Sequence, residues 1–256
     1  LQKKGMKLRT VMRLCEIKGE DKVSGVVLEN GEEIEADMVI LSIGYRPNVK
    51  LLENIPVHRG ITGGIWADEY MRTSVQDVFA AGDCVEHKCF FTRKPSRLML
   101  ASTAAFEARV AGSNLFSLKM VRENHGNLGV FSTSVAGLTV AAAGLTECTA
   151  KMENFDYVVG VAKGIDRHPG SLPDKSEIFV KMVFSKESGI LLGAQMAGGK
   201  SVGEMINIIG LGLQKGITVN DFLTMQIGSH PLLTAAPTSY PLTLAAENAL
   251  MNLRKE

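Results

Sequence analysis

The segment Thr73-Ser74-Val75-Gln76-Asp77-Val78-Phe79-Ala80-Ala81-Gly82-Asp83 is the most chemically informative stretch of the 256 residues. Val78 to Ala81 reads as a short buried strand stopped by Gly82-Asp83. Open α/β folds bind ligands beyond the carboxyl ends of their strands, and a glycine there lets backbone approach a ligand closely. Asp83 in that place can accept a hydrogen bond from a ligand hydroxyl. Taken alone, a Gly-Asp turn is as readily structural. Further along, His230-Pro231 offers an imidazole that can exchange protons near neutral pH, although a lone histidine is more often structural.

Other candidates are weaker. Cys84-Val85-Glu86-His87-Lys88-Cys89 holds two thiols and an imidazole, but no second cluster supplies the fourth ligand of a zinc site, so no metal is assigned. Gly60-Ile61-Thr62-Gly63-Gly64 has the glycines of a phosphate loop without its spacing or its strand-to-helix context. Arg167-His168-Pro169-Gly170 is expected in an exposed loop. Met196, Met205 and Met225 fill a core, and packing is also the reading for the single Trp66.

The elements that must position these residues follow from the hydrophobic pattern. Val11 to Ile17, Val23 to Leu28 and Glu32 to Ala36, broken by Lys18-Gly19-Glu20-Asp21-Lys22 and by an Asn30-Gly31 turn, predict an antiparallel meander. Met38-Val39-Ile40-Leu41-Ser42-Ile43 is a continuous apolar run ended by Gly44, the pattern of a strand buried on both faces of a parallel sheet. A helix is expected from about Ser96 to Phe116, packing through Leu98, Ala101, Ala105, Ala108, Val110 and Leu115. After Asn124-His125-Gly126-Asn127, strands are expected near 129–136, 138–143, 155–163, 177–185 and 190–196, the last pair a hairpin through Lys186-Glu187-Ser188-Gly189. Helices should follow over Val202 to Lys215, Val219 to Met225 and Leu242 to Leu253, with Ser201 and Asn220 near N-termini and Gly216 as a C-cap. Strands followed by helices imply an α+β second domain.

Bulk properties bound the answer. The chain is 45% hydrophobic and 21% charged, an ordered globular composition with room for two domains. A net charge of +1 from 28 basic and 27 acidic residues, with no dense basic stripe, argues against nucleic acid. Every apolar run is interrupted short of the roughly 20 residues that span a bilayer, so no membrane association is expected and the expected location is cytoplasmic. Cys15, Cys84, Cys89 and Cys148 are too sparse for a disulfide framework and are read as reduced. The first residue is Leu and the first element an edge-like strand, so the chain is expected to be a piece of a longer protein.

Ala36 to Asn48, followed about 35 residues later by Thr73 to Asp83, resembles the end of the nucleotide domain and the second FAD motif of the flavoprotein disulfide oxidoreductases. Two ordered matches are far more specific than either alone. The resemblance continues through Leu100-Ala101-Ser102-Thr103-Ala104-Ala105-Phe106-Glu107-Ala108-Arg109-Val110-Ala111-Gly112-Ser113-Asn114, and through Gly203 to Ile209 and Gln214 to Phe222 into His230-Pro231. It implies that Ala81, Gly82 and Asp83 touch FAD, with Asp83 accepting from a ribityl hydroxyl. It also implies that Ala101, Ser102 and Thr103 form a helix N-terminus aimed at the ring, where free N–H groups favour negative charge. His230 would be an acid/base residue facing the redox cysteine of a neighbouring subunit. Members with a cysteine pair usually carry Glu five residues after that His, but Ala235 stands there. The branch resembling NADH oxidase and coenzyme A disulfide reductase therefore fits better, with the redox cysteine and both Gly-x-Gly-x-x-Gly loops belonging upstream.

The expected architecture is an α/β remnant of FAD/NAD(P)-binding domains, followed by an α+β dimerisation domain with an antiparallel sheet. Residues 1–50 would end the NAD(P)-binding domain, 51–124 would belong to the FAD-binding domain and 125–256 would form the dimerisation domain. The implied activity passes electrons from NAD(P)H through FAD to oxygen, a disulfide or a sulfur species, in a homodimer with a small-molecule acceptor. The isolated chain is expected to be inactive. The alternative is a non-catalytic dimerisation and assembly module.

Overall fold

The computed structural model describes residues 2, 5–116 and 122–255, and the chain divides into two units, Leu1–Tyr45 and Arg46–Glu256. In the first unit, β1 (Leu14–Lys18), β2 (Gly25–Leu28) and β3 (Glu33–Glu35) form an antiparallel sheet in that order. Ile17 stands opposite Val26 and Val26 opposite Ile34. The Asn30-Gly31 turn closes as its residue types require, with Gly31 at φ 82° and the Asn30 carboxamide accepting the Glu32 N–H at 3.0 Å.

The apolar run from Met38 to Ile43 forms no strand, and Met38, Ile40 and Ile43 are 75%, 83% and 87% exposed. A strand of that composition needs a neighbour on each edge and a cover on each face. The described residues of its own unit supply only the meander. The expectation of a buried parallel strand is therefore corrected.

The second unit holds two larger hydrophobic cores and a smaller cluster of Leu145, Ala150, Val183 and Leu192. The first gathers Val57, Ile65, Met71, Ala80, Val85, Val110 and Ala111. Most of its chain is irregular, fastened by a two-residue ladder of β4 (His87–Lys88) with β5 (Pro95–Ser96) before α1 (Ala101–Asn114). Val78 to Ala81 is likewise not a strand but a single antiparallel bridge, Arg72 to Phe79, with Ala80 buried behind it. Helix α1 starts five residues later than the pattern predicts, because Pro95 and Ser96 are committed to β5 and the Leu98 N–H donates to Ser96 Oγ. Its buried stripe is Thr103, Glu107, Val110 and Ala111, whereas Ala101, Ala105, Ala108 and Leu115 are exposed.

The second core lies on a five-stranded antiparallel sheet: β6 (Phe131–Val135), β7 (Leu138–Gly144), β8 (Tyr157–Ile165), β9 (Glu177–Ser185) and β10 (Leu191–Gly198), in the order β6-β7-β10-β9-β8. Strand alternation sends Ile178, Val180, Met182 and Phe184 inward. Helix α3 (Val202–Lys215) covers β7 and β10, and α5 (Pro241–Leu253) covers β8 and β9. In α3, Val202, Ile206, Ile209 and Leu213 repeat at helical spacing and are all buried, and Gly216 closes the helix at φ 64°. Helix α5 lies so close to β8 that a Cβ on Gly160 would meet the Ala249 Cβ at 2.7 Å. Met196 is buried in this core, and Met205 and Met225 pack against it.

Two short helices join these. Helix α2 (Glu147–Met152), absent from the sequence expectations, is capped by Thr146 Oγ1 accepting the Thr149 N–H at 3.1 Å. Helix α4 (Val219–Thr224) begins where the Asp221 carboxylate accepts both the N–H and the hydroxyl of Thr218. No helix among the described residues is long and apolar enough to cross a membrane.

Candidate functional site

The Gly82-Asp83 turn is built from backbone. Gly82 adopts φ 81°, the left-handed region where a Cβ is unfavourable, and an added Cβ would stand 3.2 Å from the Ala104 Cβ. The turn therefore presses directly against the first turns of α1. Ala81 is half-buried and its carbonyl accepts the Cys84 thiol at 3.4 Å. Asp83 is exposed, and its carboxylate has no hydrogen-bond partner among the described residues.

The N-terminus of α1 is open. Leu100 is the N-cap, extended and without a side-chain cap. The N–H groups of Ala101, Ser102 and Thr103 precede the first intrahelical acceptor, which the Leu100 carbonyl provides to Ala104 at 3.0 Å. Ala101 and Ser102 are exposed and Thr103 is buried. Ser102, Thr103 and Phe106 line one side of a cleft of about 560 Å³, with Asn127, Leu211 and Gln214 among its other lining residues. The six sequence candidates for cofactor contact thus belong to one neighbourhood, a glycine turn packed on a helix with free donors.

A polar cluster missed by the sequence reading ties that neighbourhood together. Glu107, 2% exposed, accepts the Gly82 N–H on Oε2 at 2.8 Å. Its Oε1 receives His87 Nδ1 at 3.0 Å and Asn124 Nδ2 at 3.0 Å. His87 is thereby engaged inside the protein by a carboxylate. The available signal was the helical spacing of Thr103, Glu107, Val110 and Ala111, which a search for apolar residues alone passes over.

His230 stands in a different neighbourhood. It is exposed, its N–H donates to Thr234 Oγ1 at 3.1 Å, and its Nδ1 accepts the Leu232 N–H at 3.3 Å. The neutral ring accordingly carries its proton on Nε2. Ala235 is 3% exposed and belongs to the second core, so no polar partner stands at that position. The loop after β8 holds this segment instead: His168 Nδ1 donates to the Thr234 carbonyl at 2.9 Å and the His168 N–H to the Pro231 carbonyl at 3.2 Å. His168 is half-buried, which corrects the expectation of an exposed loop there.

The remaining motifs resolve structurally. In the Gly60–Gly64 loop, Thr62 donates both its N–H and its hydroxyl to Glu86 Oε2, at 2.7 and 2.9 Å. That concavity holds a carboxylate of its own chain. Cys15, Cys84, Cys89 and Cys148 are all free thiols, and burial pushes the Cys84 thiol above its ordinary pKa. Trp66, expected to pack, is 37% exposed.

Family models described as pyridine nucleotide-disulphide oxidoreductase match residues 1–108, and as the dimerisation domain of the same family residues 130–240. The chain is 30% identical to the NADH oxidase of Methanocaldococcus jannaschii over 99% of its own length and 55% of that protein. It is 33% identical to the CoA-dependent NAD(P)H sulfur oxidoreductase of Pyrococcus furiosus over 94% of its own length and 53% of that protein. Among solved structures, the NAD-dependent persulfide reductase from A. fulgidus matches with a TM-score of 0.88 and 32% identity, over 99% of this chain and 46% of that one. The chain spans about half the length of the curated relatives it matches. Its fold is that of a nucleotide-binding portion followed by an antiparallel dimerisation domain, in the order the two models require. On these grounds the chain belongs to the pyridine nucleotide-disulphide oxidoreductase family.

Proposed function

We propose that this chain holds the ribityl and ring-edge side of FAD, and the dimer interface, in an NAD(P)H-dependent flavoprotein oxidoreductase. The observation that carries the reading is the left-handed Gly82 turn packed on the uncapped N-terminus of α1, with Asp83 exposed and unpaired beside it. Asp83 accepts a ribityl hydroxyl. The N–H groups of Ala101, Ser102 and Thr103 receive negative charge at the ring edge. Bound FAD would carry electrons between NAD(P)H and the acceptor. His230, with its Nε2 proton facing solvent, is the acid/base candidate toward a thiol of a second subunit. Residues 1–50 end the NAD(P)-binding domain, 51–124 belong to the FAD-binding domain and 125–256 form the dimerisation domain.

The acceptor in this reading is oxygen, coenzyme A disulfide or a sulfur species. Burial of Ala235 in the core supports that branch over one in which a glutamate orients the histidine. Flavin content decides the central claim. Asp83→Ala is expected to lower FAD retained per chain while leaving the far-ultraviolet spectrum unchanged, and undiminished retention would remove Asp83 from the site. Homodimerisation through the second domain is supported by the exposed Phe131, Val161 and Phe179 on its sheet. Light scattering should give twice the chain mass at micromolar concentration, and a monomer would refute the interface.

A second reading, a dimerisation and assembly module without turnover, is favoured by the Gly60–Gly64 loop, whose donors already serve Glu86. The chain with added FAD is expected not to oxidise NADH under either reading. Retention of FAD by the chain selects the first.

A further inference from the structure

Glu107 is a carboxylate on the hidden side of α1, and it gathers donors from three other segments of chain. These are the Gly82 N–H at 2.8 Å, His87 Nδ1 at 3.0 Å and Asn124 Nδ2 at 3.0 Å. Burying a carboxylate is costly unless it is fully hydrogen-bonded, and here both oxygens are served. The structure assigns a purpose to that arrangement. We propose that Glu107 is the positioning residue of the Gly82-Asp83 turn, clamping it to α1 so that Asp83 and the free N–H groups of Ala101, Ser102 and Thr103 keep one mutual geometry. The inference rests on the reading of this neighbourhood as the flavin site.

Glycine explains why a clamp is needed. Gly82 at φ 81° has no side chain to choose between its left- and right-handed conformations. The peptide plane leading into it is fixed by where its N–H can donate, and Glu107 Oε2 is that acceptor. One residue on, Asp83 inherits the orientation. His87 makes the clamp selective for a carboxylate. Its Nε2 is buried without a partner among the described residues, so a proton there would be an unpaired buried donor, whereas a proton on Nδ1 is taken by Glu107 Oε1. The geometry therefore places the His87 ring proton on Nδ1.

Nuclear magnetic resonance on the 15N-labelled full chain tests this without flavin. In the unsubstituted chain, His87 should show Nδ1 protonated. The Gly82 amide should exchange on the order of tenfold or more faster in Glu107→Ala than in Val110→Ala. Val110 is buried on the same helix at 3% exposure and offers no polar group, so its truncation reports lost packing alone. Glu107→Gln, whose amide oxygen can still accept the Gly82 N–H, should keep that exchange slow while moving the His87 proton to Nε2. Equal Gly82 exchange in Glu107→Ala and Val110→Ala overturns the proposal, as does Nε2 protonation of His87 in the unsubstituted chain. Titration with FAD is scored separately: Glu107→Ala should bind on the order of tenfold more weakly than Val110→Ala, and equal binding overturns the positioning role. Failure of the unsubstituted chain to bind FAD at all refutes the flavin reading instead, with exchange and tautomer still deciding the clamp.

Discussion

Replacing Gly82 with Ala isolates the backbone contribution to the site. The substitution keeps the N–H that Glu107 accepts, so the clamp bond at 2.8 Å is not itself removed. What changes is the cost of φ 81°, about 1–2 kcal/mol for a residue with a Cβ in the left-handed region. A second cost comes from the new Cβ, which would stand 3.2 Å from the Ala104 Cβ and must push the helix or the turn aside by a few tenths of an ångström. Mild overpacking of that kind adds about 1 kcal/mol. Together these give about 2–3 kcal/mol. For a cooperative unit of roughly 150–250 residues, where each kcal/mol moves the midpoint by about 2–4 °C, the melting temperature should fall by about 4–12 °C. Thermal unfolding followed by circular dichroism measures it. A double-mutant cycle with Ala104→Gly separates the two parts: the coupling energy should recover the contact, about 1 kcal/mol, and leave the φ cost in place. A midpoint for Gly82→Ala within about 1 °C of the unsubstituted protein would refute the reasoning, because neither cost would then be present.

Two further outcomes follow from titratable groups. The Asp221 carboxylate accepts the Thr218 N–H and hydroxyl, and those bonds hold its pKa below the ordinary value. A depressed folded-state pKa adds stability above the unfolded-state value of about 3.9 that is lost as the pH falls through the folded-state value. The stability gap between the unsubstituted protein and Asp221→Asn should therefore be open at neutral pH and narrow in acid, and urea midpoints that keep a constant gap across that range would contradict it. Among the cysteines, burial raises the Cys84 thiol pKa while Cys15 and Cys148 are exposed. Iodoacetamide at neutral pH should label Cys15 and Cys148 ahead of Cys84. Peptide mass spectrometry showing Cys84 labelled first would overturn that order.

Legibility of the sequence followed how local each feature's cause is. Most of the second domain was readable, although α2 was not: α3 occupies Val202–Lys215 and β9 Glu177–Ser185 as the periodicity predicts, because each buries one face against its own neighbours in the chain. The three-stranded meander was equally clear, since Asn30-Gly31 dictates its turn. Failures came where the cause is distant. Met38 to Ile43 has the composition of a central strand, but composition cannot supply the strands on either side, and without them the run stays exposed. Val78 to Ala81 failed for the same reason on a smaller scale, keeping its buried Ala80 but pairing at one bridge only. The start of α1 was misplaced because Pro95 and Ser96 pair with His87 and Lys88, a contact that helical periodicity does not encode.

The candidate site was legible by residue type and illegible by mechanism of assembly. Gly82, Asp83 and the first turn of α1 could be chosen from their order, yet the sequence gives no sign that residue 107 holds residue 82. The two are 25 positions apart, and the bond runs from a backbone N–H, which every non-proline residue possesses. The alanines of this helix were assigned to the core, and nothing in the apolar pattern marked Glu107 for burial. The structure inverts that face: Ala105 and Ala108 are exposed while Glu107 is buried. That inversion has a physical basis. A hydrophobic residue at position 107 would bury comfortably, but it would leave the Gly82 N–H, His87 Nδ1 and Asn124 Nδ2 without their acceptor, each loss costing about 1–3 kcal/mol. The buried carboxylate is therefore set by the donors around it rather than by the helix that carries it. In this chain the residues that meet solvent at the turn, Asp83 above all, are positioned by a residue that solvent never reaches.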